Sequence, residues 1–283
     1  MIFYHTFGGR LGNQLFQAAF VSSIARPKER VYFTKMGQVL KMLPFEFRGR
    51  SHLQGFLYKV FDRLVVPFLI TPIVHTLRLV SFIREIPGTD QVERRKGLFH
   101  RIVWVEGYFQ GERFFNHTKI AQWKIDPQLK EKALVTFRAM IPEKKTAIAL
   151  HWRLGDYKDI SVFDKKDPSL PRSYFEDAIQ EIRKHIKNPF FLCFSDEPKN
   201  VASRLNLDPS EYAISQHAPE VDVLLMALCD HLILSNSTLA WWGGYWGQGP
   251  GKMIFAPKYW LGWKNGRTYP PAIEPSFATL IEP

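Results

Sequence analysis

The sequence predicts an α/β protein built from two domains of moderate size. The chain has 283 residues, which exceeds the roughly 250 at which a single hydrophobic core tends to stop growing. Hydrophobic residues make up 46% of it and aromatic residues 14%, enough for a packed interior. Short apolar segments, each followed by a polar loop and an amphipathic helix, recur in both halves. We place the boundary in the charged, proline-containing segment 142–145, which gives domains 1–142 and 143–283.

A strand at residues 2–6 begins the first domain and leads into a glycine-rich turn and a helix. The turn contains Gly9 and Gly12 on either side of Arg10, and Asn13 follows it. Glycines let the backbone approach a ligand closely, and the amides of a following helix face negative charge. The glycine spacing fits neither the dinucleotide fingerprint nor the P-loop. A ligand-binding loop and an ordinary tight turn therefore both stay open.

The rest of the first domain is less regular. Residues 31–33 and 102–105 are predicted strands, and residues 130–140 a helix. The intervening residues 49–100 favour a buried helix, with a basic apolar face lying on an anionic membrane surface as the alternative. Tyr108 and Gln110 follow the second of these strands, and their mixture of aromatic and polar character is typical of a sugar-binding cleft. Core packing explains the aromatic residues of this segment equally well.

The second domain begins with a strand at residues 146–150 that ends on His151, Arg153 and Asp156. The carboxyl ends of parallel strands are where open α/β sheets hold ligands. Arginine there offers a planar, permanently charged fork of donors that suits phosphate or carboxylate. An anionic ligand is the first inference, and a surface ion pair between Arg153 and Asp156 is the alternative.

Two further strands of this domain also end in polar residues. The predicted strand at residues 189–194 leads to Asp196, and the one at 232–234 leads to Ser237 and Thr238 at the start of the next helix. Helix capping would explain each of these residues separately. Three such sites at one edge of a sheet are better explained by a nucleotide pocket.

Composition restricts the partners. The formal charge of +11 predicts an anionic partner, but the basic residues are dispersed and no nucleic-acid-binding motif accompanies them, so we expect no nucleic acid. The two cysteines are typical of buried residues in a reducing compartment. The first residues lack the pattern of a signal peptide, and residues 64–77 are too short and too rich in proline to span a membrane. We therefore expect a cytoplasmic protein, membrane-associated only if residues 49–100 lie on a membrane surface.

Five blocks of sequence, in this order, resemble the bacterial-type α-1,2-fucosyltransferases of glycosyltransferase family 11. The blocks are GGRLGNQLFQ at residues 8–17, GYFQ at 107–110, HWRLGDY at 151–157, FSDE at 194–197 and SNSTLAWW at 235–242. The resemblance implies a GT-B-like architecture, with two Rossmann-like domains and a cleft between them. The first domain would be on the acceptor side, and the second would bind GDP-fucose.

The resemblance also implies roles for individual residues. Arg153 would bind the donor diphosphate, Asp196 would lie near the base or ribose, and Ser237 with Thr238 would bind the phosphates. Asn13, in the loop with Gly9 and Gly12, would reach into the cleft, and these three residues together with His151 would belong to the donor site. Tyr108 and Gln110 would contact the acceptor. Leu154 departs from the family, in which a second arginine commonly follows the first.

The expected reaction is inverting transfer of L-fucose from GDP-β-L-fucose to the 2-hydroxyl of a terminal galactose in an oligosaccharide or lipid-linked glycan. Arg153 would stabilise the departing phosphate, and Asp156 is the candidate base. We expect no metal, because no Asp-x-Asp motif is present and an arginine can replace a cation at the diphosphate. The alternatives are protein O-fucosylation, transfer of another sugar from a different nucleotide donor, and a basic module that binds RNA or glycan without catalysis.

Overall fold

The computed structural model of the protein describes residues 1–5, 9–27, 29–33, 36–44 and 79–283. The chain divides into two compact units, Met1–Ile125 and Asp126–Pro283. This division lies upstream of the expected boundary at residue 142, because the helix Pro127–Met140 packs against the helix Pro219–Leu228 of the second unit. Both units are α/β in character, as the sequence predicts.

The first unit contains a five-stranded sheet. Its described elements are β1 (Ile2–His5), α1 (Leu11–Ile24), β2 (Val31–Phe33), α2 (Gly37–Met42), β3 (Val80–Glu85), β4 (Val92–Arg95), β5 (Phe99–Glu106) and α3 (His117–Ala121). The strand order is β2-β1-β5-β3-β4. All pairs are parallel except β3 with β4, which form an antiparallel edge. The carboxyl ends of the parallel strands β1, β3 and β5 therefore lie at the same edge of the sheet.

The segment 49–100 differs from the expected helix wherever it is described. Residues 45–78 lie outside the described part, and with them most of the segment for which a buried or membrane-bound helix was predicted. From Val80 onward the chain forms the β3–β4 hairpin and the start of β5. Phe82 in β3 and Trp104 in β5 pack together as a small buried cluster. Because Val92 is the only apolar residue of β4, no local pattern indicated this edge strand.

The second unit contains a six-stranded sheet and a separate two-stranded hairpin. Its elements are α4 (Pro127–Met140), β6 (Thr146–Trp152), β7 (Ser161–Val162), β8 (Lys165–Lys166), α5 (Arg172–His185), β9 (Pro189–Ser195), α6 (Pro198–Leu205), β10 (Tyr212–Ile214), α7 (Pro219–Leu228), β11 (His231–Ile233), α8 (Thr238–Gly247), β12 (Ile254–Pro257) and β13 (Thr279–Ile281). The β7–β8 hairpin lies in the connection from β6 to α5.

The six-stranded sheet is doubly wound. All its pairs are parallel, and the strand order is β10-β9-β6-β11-β12-β13. Counted along the chain without the hairpin, this is the order 3-2-1-4-5-6 of dinucleotide-binding folds. The direction of winding reverses between β6 and β11, and ligands of such sheets bind in the crevice at the carboxyl ends of the strands at this point. In the second unit, the loops after β6 and β11 are therefore where a ligand is expected.

The core of the second unit explains why its elements form where they do. Six of the seven residues of β6 are buried, as expected for a strand covered on both faces. Helix α5 buries the face predicted from its spacing, namely Tyr174, Phe175, Ala178, Ile179 and Ile182. Cys193 and Cys229 are free and buried. Among the described residues, no helix combines the length and apolar character needed to cross a bilayer.

Candidate active site

Arg153 lies immediately after β6 at the switch point, and two carboxylates hold its guanidinium. Its Nε and Nη2 donate to the two oxygens of Asp156 at 2.8 and 2.7 Å, and Nε also lies 3.1 Å from Asp196 Oδ2. The side chain is only 14% exposed. The ion pair considered from sequence is therefore present, but it uses one edge of the guanidinium. In the described part of the chain, Nη1 has no hydrogen-bond or ion-pair partner.

Asp196 joins the end of β9 to the loop after β6. Its carboxylate accepts from the backbone N–H of Leu154 at 2.9 Å and of Gly155 at 3.0 Å. A Cβ atom on Gly155 would lie 2.8 Å from Asp196 Oδ2, so glycine is needed for this approach. Partial burial alone would raise the pKa of Asp196, but these amides and the charge of Arg153 bring it below the usual value. Asp196 is therefore a carboxylate at neutral pH, and its contacts are not those of a helix cap.

His151 joins β6 to the loop after β11. Its Nδ1 lies 2.8 Å from the hydroxyl oxygen of Ser235, and both side chains are buried. Burial, followed by the charge of Arg153, lowers the pKa of His151 to about 4. The imidazole is therefore neutral near pH 7. Its hydrogen bond with Ser235 links the end of β6 to the loop after β11.

Tyr157 makes a second link between the same two loops. Its hydroxyl donates to the carbonyl of Asn236 at 2.7 Å, and the Arg153 guanidinium lies 5.6 Å from the centroid of its ring. Asn236 in turn donates from Nδ2 to the carbonyl of Pro168 at 2.7 Å. The loop that holds Arg153 is thereby tied to the loop that leads into α8.

Ser237 and Thr238 lie where α8 begins. Ser237 is the residue before the helix and is nearly buried, yet its side chain makes no capping hydrogen bond. Ser237 therefore does not cap α8 with its side chain, which was the alternative considered from the sequence. The amino-terminal amides of α8 and the Ser237 hydroxyl are placed as in helix termini that bind anions.

Ser215 and Asp222 form a polar pair that the sequence analysis did not identify. Ser215 follows β10, Asp222 lies in the first turn of α7, and the serine hydroxyl donates to the carboxyl group at 2.5 Å. Burial raises the pKa of Asp222 to about 7, although the Ser215 bond opposes this, and nearby Glu220 raises it further. An acidic residue in the first turn of a helix is ordinarily a surface residue. Nothing local in the sequence therefore indicated that Asp222 is buried.

In the first unit, the structure brings the predicted loop residue and one predicted acceptor residue together. Gln110 Nε2 donates to Asn13 Oδ1 at 2.7 Å. Gly9 has a φ of 111°, and a Cβ atom there would lie 2.8 Å from Asn13 Nδ2. Gly12 is buried in the first turn of α1. The glycines thus allow the backbone to pass close to the Asn13 side chain.

Gln14 fixes this loop from within. It donates from Nε2 to the carbonyl of Gly9 at 3.1 Å and accepts from the amides of Gln38 and Val39, each at 3.2 Å. Its side chain is 5% exposed. One buried amide group therefore connects the glycine loop, α1 and α2.

Glu85 organises the segment that contains Tyr108, and the sequence analysis missed it. Its Oε2 accepts from the amides of Tyr108 and Phe109 at 2.6 and 2.9 Å. Burial raises the pKa of Glu85 although these amides oppose the shift, and burial together with Glu85 raises the pKa of the Tyr108 phenol. Gly107 has a φ of 142°, and a Cβ atom there would lie 2.6 Å from Glu85 Cβ. Glu85 and Tyr108 are 23 positions apart in the sequence, so no local sequence pattern indicates their contact.

Among the described residues, no three histidine, cysteine, aspartate or glutamate side chains are grouped so that they could hold a metal ion. Two clusters of predicted residues thus emerge. In the second unit the structure links His151, Arg153, Asp156 and Asp196 to the loop of Ser237 and Thr238. In the first unit it links Asn13 to Gln110 and places Tyr108 on Glu85.

A model of the family described as "Glycosyl transferase family 11" matches residues 100–261, more than half of the chain. The chain belongs to glycosyl transferase family 11. The match begins in β5 and continues past β12, so it includes Tyr108, Arg153, Asp196 and Ser237.

Three known relatives give the range of similarity within this family. The O-antigen biosynthesis glycosyltransferase WbnK of Escherichia coli is 29% identical over 132 residues, covering 46% of this chain and 44% of WbnK. The galactoside 2-alpha-L-fucosyltransferase Sec1 of Mus musculus is 21% identical over 249 residues, covering 84% of this chain and 62% of Sec1. The alpha-1,2-colitosyltransferase of Escherichia coli is 22% identical over 276 residues and covers 94% of each chain. The chain thus spans less than two thirds of the first two relatives.

The fold is also found in a glycosyltransferase of another family. The crystal structure of the glycosyl transferase family 9 protein from Veillonella parvula aligns with a TM-score of 0.51 and 12% identity, covering 100% of this chain and 86% of that chain. The GT-B-like class expected from the sequence is therefore supported by fold as well as by family.

Proposed function

We propose that the protein transfers L-fucose from GDP-β-L-fucose to the 2-hydroxyl of a terminal galactose in a glycan, forming an α-1,2 linkage with inversion. Membership of family 11 supports glycosyl transfer, and relatives named for α-1,2 transfer of fucose and colitose support the linkage. The observation that carries the proposal is the guanidinium of Arg153, which has one edge free at the switch point of a doubly wound sheet.

The donor diphosphate would be bound by charge and by backbone dipoles. The free edge of Arg153 suits two phosphate oxygens, and α8 presents its amino terminus after β11 on the other side of the switch point. Asp196 and Asp222 are carboxyl groups at the same edge of the sheet and suit the hydroxyls of the ribose or the amine edge of the base. We expect no metal, because Arg153 and the amino terminus of α8 would supply the positive potential that a cation otherwise provides.

In the reaction, the galactose O2 attacks C1 of fucose as the bond from C1 to the β-phosphate oxygen breaks. The bonding electrons leave with GDP, so negative charge gathers on the phosphate in the transition state. Preorganised donors aimed at that oxygen are the largest contribution a protein makes to such a step. Arg153 is already held by two carboxylates and would need no reorganisation.

The proton of the attacking hydroxyl needs an acceptor, for which Asp156 is our candidate. Asp156 is about half exposed and bonds Arg153 through both oxygens. These contacts also give it a second role, that of orienting the guanidinium. Tyr108 and Gln110 are our candidates for acceptor contacts, because Glu85 fixes the backbone of the first and Asn13 the side chain of the second.

Colitose is the second candidate for the transferred sugar. The observation that favours it is the coverage of the alpha-1,2-colitosyltransferase, which aligns over 94% of both chains. Arg153 and α8 would act on the diphosphate in the same way for either donor.

The proposal is tested by incubating the protein with GDP-fucose, GDP-colitose, GDP-mannose or UDP-galactose and a panel of galactosides. We expect a product that is heavier by one fucose, with NMR showing an α-linkage to O2 of galactose. Turnover with GDP-colitose at a higher kcat/KM than with GDP-fucose would identify the second candidate. No transfer from any donor, together with tight RNA binding, would overturn both in favour of a binding module.

A further inference from the structure

A cavity of about 580 Å³ lies in the second unit, and Leu154, which directly follows Arg153, forms part of its lining. Its walls come from the loop after β6, the start of α5, α6 and the segment after β12. We call this cavity the basic pocket. No residue assigned to donor or acceptor above lines it.

The basic pocket lies on the opposite side of the backbone from Arg153. Arg153 faces Asp156 and Asp196, whereas Trp152 and Leu154 belong to the hydrophobic cluster that contains Phe175. His151 reaches Ser235 after β11, whereas Trp152 packs on Phe175 of α5 with ring centroids 4.4 Å apart. Leu154, which replaces the arginine commonly found at this place in the family, is buried and forms part of the pocket wall.

The walls of the basic pocket are aromatic and polar. Trp152 and Trp263 contribute indole rings, and Leu170 with Pro171 contributes apolar surface. The Trp152 side chain is 2% exposed, and neither its indole N–H nor the hydroxyl of Ser169 has a hydrogen-bond partner among the described residues. Unpaired buried polar groups are rare and need an explanation. Because both atoms are shielded, the partly buried Trp263 ring and the polar side chains of the rim are the groups that a sugar ring would contact through its apolar faces and hydroxyl oxygens.

The rim of the basic pocket is positive. Four cationic side chains line it and one acidic one, Asp167. The cations are Lys158, Arg172, Arg204 and Lys264. Lys158 is paired with Glu197 and Arg172 with Glu176, which neutralises two of the four.

Arg204 and Lys264 carry the remaining charge. Arg204 is exposed and has no ion pair in the described part of the chain. Lys264 donates to the carbonyl of Lys166 at 2.8 Å, a contact that leaves its charge uncompensated. A neutral sugar would gain only hydrogen bonds from these two groups, whereas an anionic one would also gain charge attraction.

We propose that the basic pocket binds the acceptor, and that it recognises a negatively charged saccharide unit, such as a uronate or a sugar phosphate, joined to the galactose that is modified. This rests on the proposed function, because the galactose must lie beside the donor held at Arg153. The neighbouring positions of Arg153 and Leu154 bring the two sites together along one short loop. The donor uses the β6–β11 crevice and the charged part of the acceptor uses the face that carries α5 and α6.

The test compares two acceptors that differ only in charge. Lactobionate is galactose linked to an open-chain acid, and lactitol is the same skeleton with an alcohol in place of the carboxylate. We expect KM for lactobionate to be about tenfold lower than for lactitol, which corresponds to roughly 1.4 kcal/mol. Arg204→Gln and Lys264→Gln should each remove most of this preference, and Arg204→Lys should keep it.

The control is Arg138→Gln, which removes an exposed arginine of α4 that does not line the basic pocket. It should leave the preference for lactobionate unchanged, and KM for GDP-fucose should be the same in all variants. Equal KM values for the two acceptors in the unsubstituted protein would overturn the proposal. So would a rise in KM for GDP-fucose in Arg204→Gln, because the basic pocket would then serve the donor.

Calorimetric titration of lactobionate and lactitol in the absence of donor separates this proposal from the proposed function. Preferential binding of lactobionate that Arg204→Gln weakens about tenfold supports the basic pocket even if no sugar is transferred from GDP-fucose. Transfer to galactosides with equal binding of the two probes would keep the proposed function and overturn the basic pocket.

Discussion

Arg153 is the residue on which the proposed donor site depends, because its charge is fixed and its geometry is constrained. Nε and Nη2 serve Asp156, Nε also approaches Asp196, and the remaining edge is open. A lysine has a single ammonium group and cannot bridge two carboxylates and a phosphate in the same way. The proposed role of Arg153 therefore depends on its planar guanidinium group as well as on its positive charge.

We expect Arg153→Ala to lower kcat by a factor of about 10² to 10³, as removal of one oxyanion donor does elsewhere. Arg153→Lys should recover only part of the loss. The measurement is steady-state transfer from GDP-fucose, with circular dichroism to verify that both variants are folded. Near-normal turnover of Arg153→Ala would show that the diphosphate is bound elsewhere.

Asp156 has two candidate roles, orienting Arg153 and accepting the proton, and the substitution Asp156→Asn separates them. Asparagine keeps the size of the side chain and one oxygen acceptor but loses the charge that orients Arg153. If Asp156 mainly orients the guanidinium, Asp156→Asn should raise KM for GDP-fucose several-fold while the acidic limb of kcat/KM against pH keeps its midpoint. Loss of that limb, together with a roughly hundredfold or larger decrease in turnover, would make Asp156 the base.

Asp222 predicts a pH dependence of stability. Its pKa is raised from 3.8 to about 7 by burial, so the folded state holds the proton more tightly than the unfolded state. Stability linked to this group is therefore complete below about pH 4, decreases as the pH rises, and stops decreasing above about pH 7. His151, with its pKa lowered to about 4, acts in the opposite sense and destabilises the fold as the pH falls from 6.5.

Asp222→Asn should remove the loss of stability that Asp222 causes as the pH rises to about 7. Urea unfolding of both proteins between pH 5 and 8.5 should give a difference in unfolding free energy that grows with pH in favour of the variant and levels off near pH 7. The asparagine oxygen can still accept from Ser215, so the hydrogen bond is retained. A difference that does not vary with pH would show that Asp222 is already ionised in the folded protein.

At the scale of elements, the sequence predicts best where a strand is apolar and ends abruptly in polar residues. The strands that lead to Arg153, Asp196 and Ser237 are of this kind, and the structure links their ends through Asp196, His151 and Tyr157. Their helices follow equally well, since α5 buries the face that its spacing predicts.

The elements that the sequence did not predict lack such a local signal. Strands β10 and β13 are only three residues long, and neither is fully buried, so their apolar residues form runs too short to predict a strand. Strand β3 was obscured by the scattered arginines around it. Glu85 and Asp222 matter through contacts with residues distant in sequence or through burial, and both become visible only when the chain is folded.

Gly107 connects β5 to the segment that contains Tyr108 and Gln110, and it has no room for a side chain. A Cβ atom would meet Glu85 at 2.6 Å, and its φ of 142° is unfavourable for other residues. We expect Gly107→Ala to destabilise the protein by roughly 1–3 kcal/mol from the backbone strain, with more from the clash. Thermal unfolding measures this.

Gly88→Ala is the matched control for that substitution. Gly88 also has a positive φ, of 74°, but open space surrounds its Cβ position. Gly88→Ala should therefore show the effect of backbone strain alone, and it should lower the melting temperature less than Gly107→Ala does. Equal effects of the two substitutions would mean that the contact with Glu85 is unimportant.

At the scale of the whole molecule, the family match extends from β5 of the first unit to Leu261 in the second, so residues of both units fall within it. The chain divides after Ile125, upstream of the charged segment at 142–145, because α4 packs on α7. Packing between helices distant in sequence decided this division, and local composition does not report it.

Nucleotide specificity is a property of the whole protein that thermal unfolding can measure. A ligand that binds only the folded state at 100 times its Kd stabilises it by about 2.7 kcal/mol. We expect GDP to raise the melting temperature by several degrees, UDP and ADP to have little effect, and EDTA to change neither this shift nor the transfer rate. Loss of the shift in EDTA would show that a cation takes part in diphosphate binding.

Gln14 has a consequence for how the first unit meets its ligand. All the hydrogen bonds described for its amide group lie within the protein, to the Gly9 carbonyl and to two amides of α2. The glycine loop is thus already stiff before any substrate arrives, and the conformational entropy of ordering it is lost during folding and not during binding. A glutamate at position 14 would abolish the donation to Gly9, and the loosened loop would then have to be ordered in every catalytic cycle.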